Sequence, residues 1–138
     1  MNIAQKVNEE ELAFLVSSSD NPSDRWILDF GCSYHMCPNR QWFSIFQELN
    51  GGVVLMGNNN TYKTKGIGIV HLKMHDGTIR RLTDVRYVLD LKKNLVSLGV
   101  LGSNGYKVTI ENGVMKVVQG AFLAMKGTLK KNMYFLDG

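Results

Sequence analysis

The apolar residues of this chain fall in short runs divided by glycine, asparagine and aspartate, a rhythm that predicts strands and tight turns. Trp26-Ile27-Leu28 is a buried strand candidate. It runs into Asp29-Phe30-Gly31, where the periodicity stops and Gly31 predicts a sharp turn directly after an acidic residue. Gly52 to Met56 is a second strand, and the Gly57-Asn58-Asn59-Asn60 stretch after it suits positive φ. Tyr62 to Lys65, Gly66 to Val70 and His71 to Met74 continue the extended pattern. Asp76-Gly77, set between Leu72-Lys73-Met74 and Thr78 to Leu82, is the strongest hairpin signal in the chain. Asn112-Gly113 predicts a second hairpin between Tyr106 to Ile110 and Val114 to Val118. Val85 to Val88, Ala121 to Met125 and Met133 to Leu136 bring the total to roughly eight to ten short strands, the pattern of a small barrel or sandwich.

Other stretches are less regular. Trp42, Phe43, Ile45 and Phe46 form an aromatic and aliphatic patch expected in the core, on a helical turn. Asn94 to Leu101 reads as a short helix or turn closing the body, ended by Gly102 and Gly105. Leu12 to Val16 is a helix end or a short edge strand, and Ser17 to Asp24 is loop or linker. The chain thus divides into a flexible segment 1–24, a β-rich body 25–105 and C-terminal hairpins 106–138.

At 138 residues the chain has the size of one domain, and 44% hydrophobic content with 14 glycines against 2 prolines fits sheets joined by turns. The net charge of +4 is a modest excess, and Arg80-Arg81, Lys92-Lys93 and Lys130-Lys131 are dispersed along the chain. With no zinc knuckle upstream and no concentrated basic arm, autonomous nucleic-acid binding is not expected. No run approaches membrane-spanning length, and Glu9-Glu10-Glu11 stands where a secretory leader needs a basic and then an apolar stretch. The expected setting is cytoplasmic, without a membrane. Cys32 and Cys37 are too few for a disulfide framework and are expected as free thiols.

Three chemistries compete for the polar residues. Asp29-Phe30-Gly31 is also the magnesium-binding triplet of protein kinases, but no glycine-rich phosphate loop, lysine-bearing strand or His-Arg-Asp segment surrounds it. Cys32, His35 and Cys37, with His71 or His75 as a fourth group, do not have a usual zinc spacing, so neither metal nor cofactor is expected. Cys32 as a small buried residue and His35 in an ordinary hydrogen bond is the better reading. A Cys32 nucleophile with His35 as base would also need an activated thiolate and an oxyanion site, which spacing alone does not supply.

The stretch Trp26-Ile27-Leu28-Asp29-Phe30-Gly31-Cys32-Ser33-Tyr34-His35-Met36 resembles the protease segment of copia-type retrotransposon polyproteins, relatives of the retroviral aspartic proteases. Val85 to Leu98, with Asn94-Leu95-Val96-Ser97 within it, resembles the second signature of that segment. The likeness covers residues 25 to 105, and the tail around Gly120, Gly127, Met133 and Tyr134 resembles the start of the region preceding integrase. The resemblance implies an all-β, retropepsin-like small closed β-barrel with one short helix. It also implies Asp29 as the catalytic residue, on a loop of Phe30, Gly31, Cys32 and Ser33, and a flap from Val53 to Thr64 tipped by Gly57, Asn58, Asn59 and Asn60. Val88, Leu95, Val96 and Leu98 are expected as core beneath the loop.

One chain carries one such Asp-x-Gly, so the implied partner is a second copy and the implied substrate a polyprotein or peptide, in virus-like particles or the cytoplasm. Two carboxylates about 3 Å apart share one proton, the ionised member activating water and the protonated one polarising the scissile carbonyl. Two positions depart from the family. Phe30 stands where it has Ser or Thr, whose hydroxyl bonds across the dimer, and Leu89 stands where it has proline. The first predicts impaired or absent catalysis and the second a looser turn.

Overall fold

The computed structural model describes residues 24–55 and 60–138. Among the described residues ten strands follow one another as β1 (Trp26–Asp29), β2 (Met36–Cys37), β3 (Phe43–Leu55), β4 (Thr61–Lys73), β5 (Ile79–Tyr87), β6 (Asn94–Ser97), β7 (Lys107–Glu111), β8 (Val114–Gln119), β9 (Phe122–Lys130) and β10 (Met133–Leu136). A 3-10 turn at Arg40–Trp42 leads into β3, and a short helix, α1 (Leu98–Ser103), follows β6. Leu12–Val16, most of the Ser17–Asp24 linker and the expected flap-tip residues Gly57, Asn58 and Asn59 lie outside the described residues.

All ten strands join one sheet in the order β3-β4-β5-β2-β6-β1-β10-β9-β8-β7. Its first and last strands do not pair, which corrects the closed barrel expected from the resemblance. Closure needs a strand tilt and stagger that bring the two end strands into register. Here β3 and β7 remain separate edges, and the sheet instead folds its two arms over a common core. Val70, Leu72 and Leu82 of one arm pack in the same cluster as Met115, Val117, Ala124 and Met125 of the other. The Arg80 guanidinium also reaches across to the Phe122 ring, 4.6 Å from its centroid.

The middle of the sheet explains why Trp26-Ile27-Leu28 reads as an unbroken apolar run. β1 lies between β6, parallel, and β10, antiparallel, and both of its faces are covered. Alternate side chains enter different clusters. Trp26 and Leu28 join the main core, with Cys37, Val96 and Leu136 from neighbouring strands. Ile27 joins a smaller core with Cys32, Met36, Val54, Val88 and Leu95. At about 1.5–3 kcal/mol for each fully buried large apolar side chain, these paired faces fix the strand register.

Both turn signals hold. Gly77 (φ 83°) closes the β4–β5 hairpin, while Asn112 (φ 52°) and Gly113 (φ 76°) make the two-residue turn between β7 and β8. Gly68 is required by close approach, because a Cβ there would collide with the Ile45 carbonyl oxygen. The aromatic patch departs from expectation. Trp42 ends the 3-10 turn, Phe43 opens β3, and Ile45 is exposed because a register shift after Phe43 resets the alternation. Asn94 to Leu101 also divides, into β6 and α1, with Ser97 as the helix N-cap.

Candidate functional site

Asp29 ends β1 opposite Ser97 of the parallel strand β6, so its position is set where the middle of the sheet gives way to a loop. The half-buried carboxylate accepts through Oδ1 from the Gly31 N–H at 3.0 Å, forming a local Asx turn. Gly31 does not use a positive φ, so the turn comes from the carboxylate's hydrogen bond rather than from glycine's left-handed freedom. Phe30 points outward with 65% of its surface exposed, and Gly31 and Ser33 are exposed beside it.

The root of the loop is held from below by His35, expected in an ordinary hydrogen bond, and by Ser97, Arg86 and Asn94, to which the sequence assigned no individual role. Ser97 Oγ donates to the Cys32 carbonyl at 2.8 Å and accepts from the Val100 N–H at 3.2 Å. The Ser97 N–H donates to His35 Nδ1 at 2.9 Å. One buried serine therefore ties the loop, β6 and the start of α1 together. On the far side the Arg86 N–H donates to the His35 carbonyl at 2.8 Å, and the Arg86 guanidinium stacks 4.4 Å from the centroid of the Tyr34 ring. Asn94, fully buried at the head of β6, accepts from Asn39 Nδ2 at 3.1 Å and donates to the Arg25 carbonyl at 3.2 Å. The signal for Ser97 was its place between an apolar strand and a short helix, where a serine caps.

Electrostatics separate the root from cysteine or histidine chemistry. Burial pushes the Cys32 thiol up to about 12, and the Asp29 carboxylate beside it acts in the same direction. Cys37 is likewise raised to about 12 by burial. Both thiols stay protonated near neutrality, the reverse of what a nucleophile or metal ligand needs. Burial draws His35 down to about 4, opposed by the charge of Asp84. A second proton would have to enter at Nδ1, where the Ser97 N–H already points, so the ring is held neutral with its proton on Nε2. Among the described residues no group of three His, Cys, Asp or Glu side chains could hold a metal ion.

Val53 to Thr64, where a flap is expected, falls on the β3–β4 hairpin, with Val54 paired to Tyr62 and Leu55 to Thr61. Val54 packs into the smaller core with Cys32 and Leu95, with Tyr62 against it, so the hairpin and the Asp29 loop share one apolar foundation. Asn60, the one expected flap-tip residue within the described range, is exposed. A groove of about 430 Å³ opens along this hairpin between Phe46, Gly52, Lys63 and Tyr87, and no residue from 29 to 33 lines it. Val88, Leu95, Val96 and Leu98, expected beneath the loop, are all buried. Among the described residues no helix is long and apolar enough to cross a membrane.

Known proteins match the chain. The retrovirus-related Pol polyprotein from transposon TNT 1-94 of Nicotiana tabacum is 32% identical over 133 residues, 96% of this chain but 10% of that protein. A putative transposon Ty5-1 protein of Saccharomyces cerevisiae is 38% identical over 76 residues, 55% of this chain and 49% of that protein. The chain thus spans from a tenth to about half the length of these relatives. No solved structure matches it significantly. Residues 26–106, more than half of the chain and the whole of the Asp29 loop with its supports, match the family described as "Pol polyprotein, beta-barrel domain". On that match the chain belongs to the Pol polyprotein β-barrel domain family of retrotransposons.

Proposed function

We propose that this is an aspartic-protease-type domain of a copia-like Pol polyprotein whose Asp29 works only beside Asp29 of a second copy. On this reading the two carboxylates share one proton, one of them activating water while the other polarises a peptide carbonyl. The observation that carries the proposal is the setting of Asp29. Its carboxylate stands at the end of a fully packed strand, oriented by the Gly31 N–H, on a loop anchored through Ser97 and His35. Such anchoring holds a reacting group in place without immobilising the loop's outer surface. The β3–β4 hairpin is assigned to the substrate side, where an extended peptide would add to its backbone, and Gly57, Asn58, Asn59 and Asn60 are proposed as substrate-binding residues.

Phe30 sets the limit of the reading. It has no hydroxyl to bond across a pair of loops, and a ring 65% exposed beside Asp29 has to be accommodated by the partner copy. Cleavage is therefore impaired. The second reading, a peptide-binding or structural domain without hydrolysis, is favoured by the same exposed ring. Cleavage of a polyprotein-junction peptide library, followed across acidic to neutral pH for this chain and its Asp29→Asn form, separates the two. Weak cleavage lost in the Asn form supports the protease reading, whereas peptide binding by both forms with cleavage by neither supports the second.

A further inference from the structure

The edge strand β7 is self-complementary, and we propose that it is an interface for a second copy of this chain, distinct from any pairing through Asp29. β7 pairs with β8 on one side and with no described strand on the other. It carries Lys107-Val108-Thr109-Ile110-Glu111, with no proline or bulge to blunt it. The two-residue turn at Asn112-Gly113 closes on Glu111 opposite Val114. Such a turn closes on a hydrogen-bonded pair, so Glu111, Thr109 and Lys107 bond inward to β8 and the amides of Val108 and Ile110 face outward.

Two copies related by a two-fold axis pair antiparallel, and the pleat requires a residue at the centre. Centring on Thr109 sets Lys107 opposite Glu111 of the other copy, Glu111 opposite Lys107, and Val108 opposite Ile110. Centring on Val108 or Ile110 instead places no lysine against a glutamate. The favoured register also continues the core. Val108 and Ile110 lie opposite the buried Val117 and Met115 of β8, and Ile110 is 49% exposed at the edge. In the pair each Ile110 packs on Val108 of the other copy, extending the apolar face across the axis, while the two charge pairs and the Thr109 pair occupy the outer face.

Sedimentation equilibrium of the full chain over a concentration series tests this. The parent chain is expected to dimerise, with Lys107→Glu and Glu111→Lys each weakening the dimer about tenfold by turning both attractive pairs repulsive. An equimolar mixture of the two variants should regain the parental affinity. The glutamate introduced at position 107 of one then meets the lysine introduced at position 111 of the other, and the unchanged Glu111 of the first meets the unchanged Lys107 of the second. Val108→Pro, which removes an outward amide and leaves the β8 ladder intact, should abolish the association made through β7 in a chain that still folds. A parent chain monomeric at every concentration, or a mixture no tighter than its components, would overturn the proposal. A dimer unaffected at β7 but weakened by Phe30→Ser or Asp29→Asn would overturn it too, while leaving the reading of Asp29 in place.

Discussion

The crest and the root of the Asp29 loop are built on opposite principles. Phe30, Gly31 and Ser33 face outward, whereas Cys32 and His35, a few positions away, are buried and bonded to Ser97. The contrast teaches that the position of Asp29 is fixed by backbone-directed hydrogen bonds underneath it and does not depend on which side chain occupies position 30. Stability and activity should therefore separate cleanly. Root substitutions should change folding, and crest substitutions should change only what the loop can do with a partner.

Acid is the strongest way to break the root. The folded His35 sits at about 4, below its ordinary 6.5, so the unfolded chain takes up the proton first. Stability present above pH 6.5 is lost progressively as pH falls toward 4, by roughly 3 kcal/mol from this residue. Denaturant titrations across that window, compared with a His35→Gln form that lacks the titrating ring, should show the loss in the parent chain alone. Ser97→Ala comes next. It leaves the Cys32 carbonyl and the Val100 N–H without their partner and should cost about 2 kcal/mol, seen as a lower denaturation midpoint at unchanged slope.

Smaller effects sharpen the comparison at exposed positions. The Leu91 N–H donates to the Val88 carbonyl at 3.1 Å, which makes residues 88–91 a β-turn with Leu89 at its second position and half exposed. Proline suits that position, so Leu89→Pro should stabilise by about 0.5 kcal/mol through a restricted unfolded chain. Phe30→Ser should shift stability least, within about 0.5 kcal/mol, because the ring it removes is mostly in water. A large loss of stability on that change would mean that the crest helps to hold the root, contrary to the contrast drawn above.

The parts legible in the sequence are those with local causes. Asp76-Gly77 and Asn112-Gly113 specify their turns through backbone conformation, and Trp26-Ile27-Leu28 specifies a strand covered on both faces. Asn94 to Ser97 has four buried residues in a row, so no alternation was available to distinguish strand from helix. Ile45 was misplaced because the bulge beside Ser44 inverts the alternation without any glycine or proline to mark it. Whether a ladder of strands closes depends on accumulated twist and stagger, which hydrophobic period does not encode, and the open edges at β3 and β7 were illegible for that reason. In the candidate site, Asp29 was visible through its motif. Ser97, Arg86 and Asn94, which secure the loop, lie 57 to 68 positions along the chain from Asp29 and become its neighbours only through the parallel pairings of β1 with β6 and β2 with β5.

The most direct test is cleavage of one polyprotein junction by the parent chain, the Phe30→Ser form and the Phe30→Ser form that also carries Asp29→Asn, with equal folding verified for all three. The account predicts clear cleavage by Phe30→Ser, little or none by the parent, and none once Asp29 is removed. Equal cleavage by the parent and Phe30→Ser, or cleavage that survives the loss of Asp29, would contradict it.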